Sequence, residues 1–474
     1  MKKSAFFTAT IFLILFISFC TSDKKGKVNQ DRSEDKRPNI VFIYCDDLGY
    51  GDIGCFGATD IKTPNIDRMA AEGIKFTDFY SASPVCSPSR AALLTGRIPQ
   101  RMGINGVFFP ESYTGMPLEE ITIAEVLKKE GYATGIIGKW HLGHMEKYLP
   151  LQRGFDEYFG IPYSNDMESV VYLRGNEVVD FNVDQRYITK KYTEEAIQFI
   201  ESHKNKPFFL YLAHNMPHVP IYASEDFLGT SERGLYGDVI QEIDWSVGQV
   251  MKTLEDNQLL NSTLIIFSSD NGPWLVMEDR GGSAGILREG KQYTFEGGQR
   301  VPTLAMWPGK IKSGQVYNDM AVMMDWFPTI AGLAGSEIPD DRPYDGVDIS
   351  PVLFGTGARN GPGFLYFDLA ELQGYREGEW KIKLSYEGYP GSPGKKAVTP
   401  HPVLLINLKD DPGEQHNLAA EMPDKLQEMI HKMDSVRNVL GELPPSLVIR
   451  TGADNSHYEY LNKKHAGKKY WEKE

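Results

Sequence analysis

Cysteine is scarce in this chain: four in 474 residues, too few for a disulfide framework to hold the fold. Cys20 lies in an N-terminal leader and Cys86 in a motif, which leaves Cys45 and Cys55 as the candidate pair. Their close spacing permits a bond, but free, buried thiols are the expectation. Positive charge is also in deficit. Lys and Arg number 50 against 64 Asp and Glu, a net charge of −14, which argues against a nucleic-acid partner. Long apolar runs are missing apart from Ala5 to Phe19, which is too short for a comfortable membrane span. There are no internal repeats, and biased composition is confined to a charged spacer near the N-terminus and a Lys-rich tail. What remains is an ordinary globular composition, 24% charged and 41% hydrophobic, with length for roughly two or three domains.

The leader reads as an export signal. Lys2 and Lys3 precede the apolar run, as they do in a signal peptide. Cys20 follows Ile17-Ser18-Phe19, which resembles a lipobox whose cysteine becomes lipidated, although Phe19 departs from the usual small residue. A plain secretory signal cleaved nearby is the alternative. Residues 1–20 are therefore expected to be a signal and 21–37 a flexible charged spacer. The protein is expected to be periplasmic or an outer-membrane lipoprotein, touching membrane only through a lipid anchor at Cys20.

Strands and helices alternate along the next three hundred or so residues. Asn39 to Cys45 is a continuous apolar run suited to a strand buried on both faces. Ala133 to Gly138, Pro207 to Leu212 and Ser262 to Phe267 are further candidates. Between Tyr236 and Glu255, Val239, Ile240, Ile243, Val247, Val250, Met251 and Leu254 share one helical face. Such alternation predicts an α/β fold with a mostly parallel central sheet. The four strands run into Asp46-Asp47, Lys139-Trp140-His141, His214 to His218 and Asp270-Asn271. Open α/β sheets bind ligands at the carboxyl ends of their strands. Past about Pro362 the texture changes: Phe364 to Asp368, Trp380 to Ser385 and Val403 to Leu408 read as antiparallel strands, followed by a helix from about Asp424 to Leu440.

One stretch carries more chemistry than any other: Cys86-Ser87-Pro88-Ser89-Arg90, continuing through Ala91, Ala92, Leu93 and Leu94 to Thr95-Gly96-Arg97. Ser87 suits an N-cap, Pro88 the first helical position and Gly96 the position past the helix end. Residue 86 then sits at the positive end of a helix, where unpaired N–H groups favour an anion. This run resembles the signature of the type I sulfatases. In that family the cysteine is oxidised to Cα-formylglycine by a formylglycine-generating or sulfatase-maturing enzyme, and the hydrate of that aldehyde attacks the sulfur of a sulfate ester. The resemblance spans roughly Arg37 to Leu418 and includes Gly290 to Gly298 around Lys291 and Asn407 to Leu418 near the end.

Asp46, Asp47, Asp270 and Asn271 offer three carboxylates and an amide oxygen, hard ligands that suit Ca2+ or Mg2+. The resemblance implies one calcium ion at these positions, also in contact with residue 86. It assigns Arg90 to the hydrated aldehyde and the sulfate, with Lys139 and Lys291 as further cations. It implies Asp270 as the base for attack, His218 with Lys291 as the acid for the leaving oxygen, and His141 as the base that expels sulfate. His214 competes with His218 for its role, and the following Val219-Pro220 favours His218. Ser164-Asn165-Asp166, in Gly160 to Asp166, resembles the arylsulfatase A and N-acetylgalactosamine-6-sulfatase branch and is read as substrate-binding. Asn165 stands where a histidine is expected of the nearest arylsulfatase.

The expectation is an alkaline-phosphatase-like α/β sandwich over 38–363, with a smaller antiparallel sheet-and-helix subdomain over 364–474. The expected function is an exported calcium-dependent sulfatase acting on sulfated carbohydrate of galactose or N-acetylgalactosamine type. Rivals are an arylsulfatase of broad specificity, a phosphatase or phosphonate hydrolase on the same fold, and a non-catalytic glycan-binding lipoprotein. A two-zinc phosphatase wants more clustered His and Asp than this sequence offers, and a binding protein needs none of the acid–base residues.

Overall fold

The computed structural model describes residues 1, 37–110, 112–167, 170–388 and 398–448. The leader with Cys20, the spacer before Arg37 and the Lys-rich tail lie outside the described residues.

The apolar runs form the centre of a ten-stranded sheet. Five parallel strands stand side by side in the order Thr263–Ser269, Asn39–Cys45, Phe208–Ala213, Ala133–Gly138 and Glu157–Gly160. Every residue of the first four is buried, which is why they read as unbroken apolar runs rather than alternating ones. Antiparallel strands flank this centre, with Thr303–Met306 beside Thr263–Ser269 and Tyr172–Arg174 beside Glu157–Gly160.

Alternate residues of Asn39–Cys45 serve opposite faces of the sheet. Ile40, Phe42 and Tyr44 join a core with Phe79, Leu94 and Trp326. Val41, Ile43 and Cys45 join another with Val239, Ile243 and Val250 of the helix Gly234–Asp256. Two cores on one sheet make the three-layered α/β sandwich anticipated from the sequence. Register then levels the strand ends, because Gly138 and Tyr44 both lie opposite Ala213 while Cys45 lies opposite Ser269.

A second sheet has four antiparallel strands in the order Phe364–Asp368, Glu371–Glu377, Trp380–Lys383 and Leu404–Asn407. The helix Pro423–Leu440 covers it through Met429, Met433 and Leu440. The strand Glu371–Glu377 has no apolar run and was not anticipated. Its Arg376 is buried against Asp78 and Tyr80 of the larger sheet's side of the molecule. This junction continues through Lys381, whose Nζ lies 2.9 Å from Glu296 and 2.8 Å from Glu414, all three side chains being buried.

Two local expectations need correction. The signature helix runs Cys86–Thr95 with Val85 as N-cap, so it begins two residues before the expected start and Ser87 is not the cap. Pro88 falls inside the first turn, where its missing N–H costs nothing because those donors have no intrahelical partner. Ser87 instead accepts from the Phe108 N–H at 3.2 Å. Gly96 does end the helix, at φ 69°, donating to Ala92 O. Cys45 and Cys55 are free thiols; Cys45 is buried, but Cys55 is only half-buried.

Candidate active site

Asp46, Lys139, His214 and Asp270 each follow the last residue of one of four neighbouring parallel strands. The backbone extends the ladder by one step at this edge: Asp270 N donates to Cys45 O at 3.1 Å and Lys139 N to Ala213 O at 2.8 Å. The chain then turns sharply. Asp47 and His141 adopt φ of 63° and 60°, a left-handed conformation uncommon outside glycine and concentrated at functional sites. Lys291 comes from a loop that is sewn to the Asp270 end, since its N–H donates to Pro273 O at 2.9 Å and Gly272 N donates to Gly298 O at 3.0 Å. A Cβ on Gly272 would stand 1.8 Å from Gly297 O, so only glycine admits this approach.

These elements bring the sequence candidates together. Cys86 Sγ lies 3.4 Å from Asp46 Oδ1. Lys139 Nζ donates to Asp46 Oδ2 and, at 3.2 Å, to Ser164 Oγ. Arg90 donates from Nε and Nη2 to Asp270 Oδ2 at 3.0 and 2.8 Å, and from Nη1 to Lys139 O at 3.2 Å. Lys291 Nζ donates to Asp47 Oδ2 at 2.8 Å, and His218 Nε2 is 3.6 Å from the same oxygen. All of these side chains are buried. Three acids, Asp46, Asp47 and Asp270, thus face three fixed cations, Arg90, Lys139 and Lys291.

Other candidates stand further back. His214 packs toward Ser246 and Tyr192, with Nε2 3.3 Å from Ser246 Oγ, so His218 is the histidine of this segment that reaches Asp47. Asn165 donates to Pro220 O at 3.2 Å, His218 O at 3.4 Å and Gln185 Oε1 at 3.1 Å. It therefore braces the backbone that carries His218. Asp166 is exposed.

Burial sets the protonation states. It pushes the Asp270 carboxyl up to about 7, helped by the charge on Asp46. The same burial opposes charge on Asp46, but Lys139, His218 and Arg90 outweigh it and hold that carboxyl well below its ordinary range. Burial also opposes the Lys291 ammonium, yet Asp47 beside it raises its pKa. Both site histidines are lowered: His141 strongly, by burial and then Lys139, and His218 by burial and then Lys291. The Cys86 thiol is raised by burial, so as a plain cysteine it is a poor nucleophile.

The oxygens of Asp46, Asp47 and Asn271 suit a hard divalent cation. Asp46, Asp47, Cys86 and His218 each offer one ligand atom, all within 4.8 Å of one another. Asn271 donates its amide to Asp47 Oδ1 at 2.7 Å, which leaves its Oδ1 buried with no hydrogen-bond partner. A buried carbonyl oxygen without a donor is costly unless a cation takes it.

One neighbour escaped notice in the sequence. Trp274 places its ring 5.4 Å from the His218 ring and 4.3 Å from Lys291 Nζ. Its place three residues after Asn271 was the available signal. An apolar cavity of about 390 Å³ lies elsewhere, lined by Ile98, Val322, Met324, Leu365 and Leu440. It contains none of the groups above and lies where Val322 and Met324 face Leu365 and Leu440.

Known proteins resemble this chain in both sequence and fold. The Sulfatase family model matches residues 38–336, and the model for the N-sulphoglucosamine sulphohydrolase C-terminal region matches 289–439. Human N-acetylgalactosamine-6-sulfatase is 39% identical over 442 residues, 84% of each chain. Human arylsulfatase A is 38% identical over 448 residues, 86% of this chain and 88% of its own. A structure solved in work on glycosaminoglycan metabolism by Bacteroides thetaiotaomicron superposes with a TM-score of 0.78 at 30% identity, covering 85% of this chain and 100% of that one. Another, Ps i-CgsB in complex with a neocarrahexaose, gives a TM-score of 0.75 at 29% identity, covering 90% of this chain and 97% of its own. Relatedness that extends along more than four fifths of these proteins makes this chain a member of the sulfatase family, in its arylsulfatase A and N-acetylgalactosamine-6-sulfatase branch, and a sulfuric ester hydrolase.

Proposed function

We propose that this protein is an exported, calcium-dependent sulfatase that removes sulfate from carbohydrate of galactose or N-acetylgalactosamine type, using a formylglycine made from Cys86. The observation that carries the reading is the setting of Cys86, at the first residue of a buried helix and 3.4 Å from Asp46 in a ring of three fixed cations. With three acids offsetting those cations, a divalent ion would turn the pocket net positive, as an anionic sulfate ester requires.

Matured by a formylglycine-generating or sulfatase-maturing enzyme, residue 86 would supply a geminal diol as nucleophile, and a calcium ion held by Asp46, Asp47, Asp270 and Asn271 would supply further positive charge. The chain's own side chains do the remaining work. Arg90, Lys139 and Lys291 bind the nonbridging oxygens of the ester. Asp270, whose carboxylate is held by Arg90 Nε and Nη2, would take the proton at position 86. His218 holds its Nδ1 2.5 Å from Val219 O. A carbonyl only accepts, so Nδ1 carries a proton and Nε2 carries one only in the imidazolium. Burial and then Lys291 oppose that cation more than Asp47 favours it, so the proton for the leaving oxygen would come from His218 acting with the Lys291 ammonium beside it. His141 is arranged oppositely. Its Nε2 lies 2.9 Å from Phe108 O, so Nε2 holds the proton, and its buried Nδ1 has no hydrogen-bond partner. A neutral imidazole with a bare Nδ1 is the base that expulsion of sulfate needs.

Residues 38–363 are taken as the catalytic domain and 364–474 as the C-terminal subdomain, a division supported by the start of the second sheet at Phe364. The sugar class rests on the names of the relatives and is an analogy. Export and lipidation at Cys20 rest on the leader, and the absence of a helix long and apolar enough to cross a membrane, among the described residues, is compatible with them. The alternative of a broad arylsulfatase keeps every step above and differs only in the leaving group.

The deciding experiment is a mass measurement on the peptide containing residue 86, paired with sulfate release. Activity should track the aldehyde-bearing fraction across preparations, and Cys86→Ala should abolish turnover. Full activity in protein wholly unmodified at Cys86 would overturn the mechanism.

A further inference from the structure

Trp274 touches two reacting groups yet has no part in the proton transfers. Its neighbours His218 and Lys291 are 3% and 5% exposed, whereas Trp274 is half-buried. It is thus the wall by which this corner of the site meets solvent. Its backbone is fixed on both sides. Pro273 O accepts from Lys291 N at 2.9 Å, and a Cβ on Gly281 would stand 2.2 Å from Trp274 O, so the returning chain lies directly against it.

We propose that Trp274 is the platform on which the ring of the sulfated sugar rests, and that it makes the enzyme prefer cyclic over open-chain alcohols as leaving groups. This rests on the sulfatase reading and adds a specificity-determining residue to it. The leaving oxygen must come within about 3 Å of His218 Nε2 to receive its proton, and the carbon that bears it is one bond further out. A ring beginning at that carbon would come within reach of the indole, centred 5.4 Å from the imidazole. A pyranose presents a face of C–H groups rimmed by hydroxyls. A large rigid aromatic surface buries that face while the hydroxyls stay in water. Lys291 Nζ, 4.3 Å from the indole centroid, is held there by the negative ring face. One side chain therefore sets the position of the sugar relative to the cation that meets its sulfate.

The test uses protein carrying the aldehyde at residue 86, as wild type, Trp274→Ala and Trp274→Phe. Sulfate release is measured from a sulfated N-acetylgalactosamine or galactose and from glycerol sulfate, an open-chain ester. Trp274→Ala should raise KM for the sugar ester about ten-fold or more, with a smaller change in kcat. Its loss in kcat/KM on glycerol sulfate should be at least about ten-fold smaller, and Trp274→Phe should recover most of the sugar activity. Equal losses on both esters would reduce Trp274 to a prop for Lys291 and His218 and overturn the platform. So would an unchanged KM for the sugar. If matured wild-type protein releases sulfate from neither ester, the galactose-type substrate reading falls and the platform with it. Release that does not depend on Trp274 overturns the platform alone.

Discussion

Lys291 donates to Asp47 at 2.8 Å although 244 residues separate them in the chain. The pair joins two loops that follow different strands of the ten-stranded sheet, and both side chains are buried. Removing the ammonium leaves a buried carboxylate short of its partner and the sulfate short of a cation. Lys291→Met is expected to lower kcat/KM by about 10²–10³, the loss typical of one preorganised charge-stabilising donor. Lys291→Arg should recover only part of it, because a planar fork does not replace a point charge. Steady-state kinetics on a sulfated sugar decide this, and wild-type values in Lys291→Met would refute the role.

The acid assigned to His218 should show in the leaving group. A sugar alkoxide cannot depart without a proton, whereas 4-nitrophenolate can. His218→Gln is therefore expected to slow hydrolysis of a sugar sulfate by about 10²–10⁴ and that of 4-nitrophenyl sulfate far less. Equal losses on the two would assign His218 to binding instead.

Asp46 and Asp270 are proposed as metal ligands, and the buried Asn271 Oδ1 without a partner points at the same ion. Asp46→Asn and Asp270→Asn should each lower bound calcium, measured by elemental analysis, together with activity. Chelation of wild-type protein should remove activity that added calcium restores. Stoichiometric zinc with neither calcium nor magnesium in active protein would defeat the assignment.

Asp52 offers a test of stability rather than catalysis. Burial pushes its carboxyl up to about 6, against hydrogen bonds from Tyr236 and Ser283 and the charge of Arg233. A folded pKa above the unfolded value means the native state binds the extra proton, so stability from this group falls as pH rises from about 4 to about 6. The difference corresponds to roughly 2–3 kcal/mol. Asp52→Asn should flatten that part of the profile in denaturant titrations. An unchanged slope between those pH values would show that Asp52 is not the group responsible.

Much of the fold was legible because it is local or periodic. Asn39–Cys45 and Ala133–Gly138 emerge with the bounds read from their apolar runs, since a strand buried on both faces has no polar alternation to blur it. Glu371–Glu377 was invisible for the converse reason. Its burial depends on Arg376 meeting Asp78, almost three hundred residues away in sequence, and no window of sequence contains both. The gathering of the site residues at one edge was readable from the strand ends, but their pairings were not. Nothing near Arg90 in the sequence announces that Asp270 will take its Nε and Nη2. The start of the signature helix was misread because Ser87 and Pro88 imitate a cap and a first position. Backbone geometry places the start at Cys86, with Val85 as the cap.

The buried salt bridges of Lys381 with Glu296 and Glu414 bear on how such enzymes can be recombined. Glu296 opens the short helix Glu296–Gln299, five residues after Lys291, while Lys381 and Glu414 come from the smaller sheet and the segment beyond it. A chimera that grafts a foreign C-terminal portion at residue 363 would leave buried Glu296 with Arg300 and Tyr80 but without its closest cation unless the graft brings an equivalent lysine. Leaving one partner of such a buried pair unmatched costs about 3–5 kcal/mol, a large share of the stability of an ordinary domain. Shuffling libraries built from these sulfatases should therefore keep the Lys291 loop and the small sheet from the same parent.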